Sequence, residues 1–319
     1  MTRIQSFATF LRTYGKVLAL VIIMLIGALA PQAGTLSFLV QYLLMLMLFF
    51  AFLDIELNLQ SFQKGVVWVL LANVAVAFGA YGALSLVNNT LALAAFVTAI
   101  APTAISSPVI ISFIEGRVEY VVASVFLTNV SMALVVPVAL PFLARTTTVP
   151  ISAWEVLQPV LVTMFVPLIL ARVVAHLPQD AQNILRRGKR YSFPLWLINL
   201  FIISAKASDF IRNENTASMQ ILLQIALISF VICVINFALG ALIGGRRYWQ
   251  EASQALGQKN NSFVIWVALT FLNPLVAMGP TFYVLYHNLY NSLQIYLFEK
   301  RNKAFNLHKA DAVDQATSE

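Results

Sequence analysis

Ten runs of apolar residues follow one another along the chain, near 13–30, 35–53, 65–87, 91–114, 118–144, 152–175, 191–208, 218–245, 249–271 and 275–298. A helix rises about 1.5 Å per residue, so about 20 residues cross the hydrocarbon core of a bilayer. The runs are continuously apolar instead of alternating, which favours helices over a barrel, and a helix satisfies its own backbone in lipid. The pattern therefore predicts an all-α polytopic membrane protein with ten transmembrane helices.

Composition agrees with that pattern. Of 319 residues, 60% are hydrophobic and 10% charged, and the mean hydropathy is +0.82; a soluble domain carries about 25% charged residues. The net charge of +7 invites a nucleic-acid partner, but the cations sit between apolar runs, where lipid headgroups are the expected partner. Sixteen of the twenty Lys and Arg, among them Lys64, Arg117, Arg172, Arg186, Arg187, Lys189, Arg190, Arg246 and Arg247, fall on the side that ten spans assign to both termini. Three, Arg145, Lys206 and Arg212, fall opposite. This asymmetry predicts cytoplasmic termini in the inner (plasma) membrane. The first run carries Ala28, Leu29 and Ala30, the pattern of a signal-peptide cleavage site, but its removal would leave nine spans and spoil the asymmetry. Cys233 is the single cysteine, so no disulfide forms within the chain.

The break at 145–151 separates five runs from five. An odd number per half forces the halves to insert in opposite orientations, a 5+5 inverted repeat. The predicted units are 1–150, 151–300 and a polar, solvated cytoplasmic tail at 301–319. The longest connection is expected at 176–190.

Two runs in corresponding positions, the fourth and the ninth, are interrupted. In the fourth, Pro102, Thr103, Ser106, Ser107 and Pro108 place two prolines and three hydroxyls in mid-run; proline removes a helical hydrogen bond and hydroxyls satisfy the freed groups. A simple proline kink is the plain alternative. In the ninth, Gly257, Gln258, Lys259, Asn260 and Asn261 precede an apolar stretch of only about 15 Å, half a bilayer, so the polar segment is expected to enter the membrane. An interfacial loop before a short span is the alternative. Matched interruptions point to a transporter's midplane site, and a lysine there costs roughly 2.5–3.5 kcal/mol to insert. Lys259 is the foremost candidate, with snorkelling to the interface as its alternative. His287 and Asn291 in the tenth run are candidates to face the same cavity. Asn199, Asn129, Thr128 and Asn236 are expected to bond between helices, and Lys206 to snorkel. All thirteen acidic residues fall in loops, tails or span ends.

The stretches 43–64, 102–116 and 257–260, with Tyr286, His287 and Asn288 through Lys300 and Arg301, resemble the bile acid:sodium symporter family over roughly residues 13–300. The resemblance implies a core domain with crossed, discontinuous helices 4 and 9, a panel domain of spans one, two, six and seven, an organic-anion substrate, alternating access, and coupling to two sodium ions. The chain departs where coupling is decided. The family's Glu falls on Ala255, its Gln on Lys259, its Ser-Asn pair on Ser107 and Pro108, and two further hydroxyls on Val121 and Val125. Hard cations need several oxygens, so no cofactor is expected and sodium is doubtful. The expected function is secondary transport of a bile-acid-like anion or small carboxylate, sodium-independent with the Lys259 ammonium replacing the sodium charge, by facilitated diffusion, exchange, or proton coupling if Lys259 titrates. Alternatives are a sodium-coupled symporter, an arsenite exporter, which would need a thiol in the fourth span, and a receptor or sensor without transport. An enzyme is not expected, since His176, His287 and His308 are dispersed and no acid–base cluster is apparent.

Overall fold

The computed structural model describes residues 15, 18–53, 63–144, 153–213 and 219–316. Among them the chain is helical, with no strand beyond one isolated bridge. The helices are α1 (Leu18–Leu29), α2 (Leu39–Phe52), α3 (Lys64–Ser85), α4 (Asn89–Ile100), α5 (Ser107–Phe113), α6 (Val118–Leu143), α7 (Ala153–Val174), α8 (Gln179–Arg187), α9 (Ser192–Asn213), α10 (Met219–Gly257), α11 (Asn261–Phe271) and α12 (Pro274–Ala316). Six helical stretches are long and apolar enough to cross a membrane: Pro31–Phe52, Lys64–Ser85, Val118–Leu143, Leu157–Val174, Gln179–Asn213 and Met219–Gly257. The protein is thus an all-α, multi-pass membrane protein. Large apolar side chains such as Leu29, Trp68, Leu223, Leu227 and Leu242 cover its outside, as lipid requires.

Several boundaries differ from the expected ones. The second run starts at Pro31, because a 3-10 turn, Pro31–Phe38, runs straight into α2. The expected loop 176–190 is mostly helix: α8, then a 3-10 turn, Gly188–Tyr191. The tenth run continues as α12 to Ala316, through most of the segment assigned to a tail. The acidic residues Asp54, Glu56 and Glu214, the basic residues Arg3, Arg12, Lys16 and Arg145, and the break at 145–151 lie outside the described residues.

Both expected interruptions are present, and each has a local cause. Asn88 caps α4 by accepting from the Leu91 N–H at 3.1 Å. α4 then stops at Ile100, because Pro102 forbids the helical conformation at Ala101, whose ψ is 134°. The second proline does not break anything. Pro108 lies in the first turn of α5, where its missing N–H has no partner to lose.

α10 contains two arms. Gly245 at φ 56° and Tyr248 leave helical geometry, and the second arm returns along the first to end at Gly257. Close approach of the arms depends on Gly240, where an added Cβ would sit 2.7 Å from the Ser253 Cα. Overpacking a site that relaxes costs about 1–3 kcal/mol, and backbone relaxes less than side chains. Gly240→Leu is therefore expected to lower the thermal midpoint sharply or prevent a monodisperse peak in size exclusion. Gly79→Leu, where nothing lies within 4 Å, is expected to melt as wild type does.

Candidate functional site

The interrupted helices cross. Between α4 and α5, and between α10 and α11, the chain is extended, and the two extended pieces pair antiparallel through Thr103 and Lys259. The Asn260 N–H donates to Pro102 O at 2.8 Å, and the Ala104 N–H donates to Gln258 O at 2.8 Å. Each extended piece thus satisfies backbone groups that its own helix cannot, the condition for irregular backbone away from water.

Side chains complete the pairing. Thr103 Oγ1 donates to Ala255 O at 2.6 Å, and the Thr103 N–H donates to Thr128 Oγ1 at 3.0 Å. Asn129 Nδ2 donates to Thr103 O at 3.0 Å, and Gln258 Nε2 to Ser106 Oγ at 3.0 Å. Tyr283 caps the end of α10, its hydroxyl donating to Gly257 O at 2.7 Å while Asn236 Nδ2 donates to that hydroxyl at 3.2 Å. Thr128, Asn129 and Asn236 therefore act as interhelical bonds, as expected, and the bonds of the first two hold the crossing itself. Asn199 does not follow that expectation, since neither amide atom has a hydrogen-bond partner among the described residues.

Lys259 is 2% exposed. Its ammonium donates to Asn73 Oδ1 on α3, and among the described residues it forms no ion pair with a carboxylate. The Asn73 amide faces the other way as well, Nδ2 donating to Ile100 O and Ala101 O, both at 3.2 Å. The C-terminal ends of α4 and of the second arm of α10 converge here, and helix C-termini carry partial negative charge. One ammonium and one amide are placed against them. Asn73 was not among the sequence candidates. Its signal is a lone amide in the middle of the apolar helix α3, which in a membrane helix marks a bond to a neighbour.

A cavity of about 790 Å³ opens beside the crossing. Its apolar wall comes from α2 (Leu44, Met47, Leu48, Ala51) and α5 (Val109, Ile110, Phe113), and its aromatic edge from Phe193 and Trp196 on α9. The polar wall is Ser106 with Gln258, Lys259, Asn260, Asn261 and Ser262, joined by His287, Asn288, Asn291 and Ser292 of α12. His287 and Asn291 thus join the crossing; His287 Nδ1 lies 3.5 Å from Asn261 Nδ2, and Asn291 Oδ1 accepts from Gln254 Nε2 at 2.9 Å. Thr103 and Ser107 are buried and do not line the cavity, nor do Pro102, Pro108 and Gly257. The Ser107 Oγ has no partner among the described residues. Its lining includes Phe113, four residues before Arg117, and Ser192 and Phe193, which follow the 186–190 basic cluster in the chain.

The acidic residues are not all peripheral. Glu251 is 5% exposed, and its Oε1 accepts the Arg117 N–H at 2.8 Å, tying the turn after α5 to the second arm of α10. Lys206 pairs with Asp209 at 3.8 Å and remains about one-third exposed. Val121 and Val125 are fully buried in apolar packing. No known protein-family model and no curated protein sequence matches the chain.

Proposed function

We propose that the protein is a sodium-independent secondary transporter of organic anions, built on the plan of the bile acid:sodium symporter family. In this reading ten spans form two inverted repeats, 1–150 and 151–300. α4, α5 and the second arm of α10 with α11 form the centre of a core domain, and α1, α2, α7 and α9 the panel. Both termini are cytoplasmic, so the cavity faces the cytoplasm of the inner membrane.

The observation that carries the proposal is Lys259, a buried ammonium on the cavity wall whose partner is a neutral amide. A buried charge is tolerable when paired and hydrogen-bonded and costly otherwise. While the cavity is open, water solvates part of that charge. Closing the panel over an unloaded site would strip the water and leave the ammonium with Asn73 alone. An anion bound against Lys259 removes that penalty, so the loaded form closes more readily than the empty one, as obligatory exchange requires. Neutral amides and hydroxyls orient the anion, and the apolar wall of α2 and α5 takes its hydrocarbon body. Among the described residues the ionisable groups lining the cavity are Lys259, His287 and Tyr296.

Purified protein in proteoliposomes, assayed with taurocholate, pyruvate and lactate, tests this directly. Uptake of the accepted anion is expected to be unchanged when choline replaces sodium on both sides, and to be accelerated by the same anion preloaded inside. An absolute sodium requirement would instead make the protein a sodium-coupled symporter with relocated ligands. Ligand-induced thermal stabilisation without any flux would make it a receptor.

A further inference from the structure

The corner 178–191 joins α7 to α9 and lies outside the transport site. α8 begins after Pro178 with Asp180 in its first turn and ends on Arg186 and Arg187, and the following 3-10 turn adds Lys189 and Arg190. Four cations thus fall within five residues, while Asp180 is the one acidic residue between 156 and 208. Membrane topology accounts for basic residues on this side, but not for what surrounds these. Ile184 is 66% exposed and Tyr191 50% exposed. The Arg190 guanidinium lies 4.8 Å over the Tyr191 ring and donates to its hydroxyl at 2.8 Å. Cations interleaved with exposed aliphatic and aromatic groups suit the headgroup layer, where one end of each side chain is apolar and the other wet. The corner is also seated, not swinging: a Cβ on Gly188 would lie 2.8 Å from Phe50 Cζ, so the turn rests on that ring of α2.

We propose that this corner binds the phosphate headgroup of an anionic phospholipid from the adjoining leaflet. Arg186 and Arg187 end a helix, where cations complement the dipole, and their planar guanidinium forks match phosphate oxygens in pairs. Tyr191 and Ile184 hold the glycerol and upper acyl level. The next two residues after Tyr191, Ser192 and Phe193, already line the cavity, so the bound lipid stands beside its wall. The proposal does not depend on which solute the cavity carries.

Full-length protein is equilibrated in nanodiscs of mixed phosphatidylcholine and phosphatidylglycerol, released into neutral detergent, and its retained lipids are counted by native mass spectrometry. Wild type is expected to retain phosphatidylglycerol over phosphatidylcholine. Each basic residue held against the retained headgroup contributes about fivefold, so Arg186→Gln with Arg187→Gln is expected to lower that preference roughly 25-fold. Lys64→Gln with Arg172→Gln, two exposed cations on the same side, is expected to leave it at the wild-type value. Inorganic phosphate in place of chloride at equal ionic strength is expected not to displace the lipid. The proposal is overturned if the corner pair retains the preference, if the control pair loses it equally, or if phosphate strips the lipid, which would assign the corner to a soluble anion. Thermal melts in detergent check that the variants fold, and Arg187→Gln alone, expected to lower the preference about fivefold, decides the matter should the pair not fold.

Discussion

Lys259→Met is expected to abolish anion uptake while leaving a folded protein. The two effects separate because they draw on different terms. Burying a lysine in a membrane protein costs roughly 2.5–3.5 kcal/mol, and methionine fills a similar volume without that cost. Against this, Asn73 Oδ1 loses its donor, and an unsatisfied buried acceptor costs about 1–3 kcal/mol. The terms nearly cancel, so the thermal midpoint without ligand is expected to stay within a few degrees of wild type. Anion binding has no such compensation. Removing the charged partner of a buried ionic contact costs about 2–5 kcal/mol, at least about 30-fold in affinity, and the closure argument adds a further loss of flux. The measurements are thermal shift and proteoliposome uptake with the best anion of the panel. Lys259→Met retaining wild-type uptake would remove the basis of the proposed mechanism. A variant that cannot be purified folded would show that the ammonium holds the crossing instead, and Lys259→Gln, which keeps a donor for Asn73, is then expected to fold and still not transport.

Hydropathy made the membrane class legible because a bilayer imposes length and apolarity residue by residue, independently of how helices pack. It also located both interruptions, since proline and a run of amides leave local traces. What hydropathy could not resolve was geometry that depends on partners. Pro102 ends α4 and Pro108 starts α5, yet in sequence the two prolines look alike. The corner 176–190 reads as a connection because α8 is polar, with Gln179, Asp180, Gln182 and Asn183 among its first five residues; its helix is recognisable from its charges, Asp180 early and Arg186 and Arg187 late, once it is not required to span.

At the site, the residues that interrupt a span or carry charge are visible in sequence: Lys259, Asn260 and Asn261, with Ser106 between the prolines and His287 and Asn291 on α12. Their partners were harder to see, because a partner is defined by contact across distant sequence. Thr128 and Asn129 were expected to bond helices generally, but that they bond to Thr103 follows only from the crossing. Glu251 shows the same dependence on contact. It falls near a span end, and the return of the second arm of α10 buries it against the Arg117 N–H.

Asn73 is the strongest case, and its removal is expected to have the second large effect. Its single amide satisfies Ile100 O, Ala101 O and the Lys259 ammonium. Asn73→Leu conserves volume and removes all three bonds. Two carbonyls at the end of α4 and one buried charge are left without this partner, at about 1–3 kcal/mol for each polar group and more for the ion. That sum approaches the 5–15 kcal/mol by which whole proteins are stable, so the midpoint is expected to fall far more than for Lys259→Met. The double variant Asn73→Leu with Lys259→Met separates the contributions. If the ammonium is the costliest orphan, adding Lys259→Met is expected to restore much of the midpoint, a coupling of about 0.5–3 kcal/mol, while uptake stays lost because the charge that meets the anion is gone. Purely additive midpoints would mean that Asn73 serves the α4 carbonyls and not the lysine. Asn73→Asp gives the complementary result: a carboxylate beside Lys259 supplies the counter-charge internally, but it only accepts and so loses the bonds to Ile100 O and Ala101 O; the midpoint is expected to fall less than for Asn73→Leu, and anions to bind poorly, since the ammonium no longer needs one.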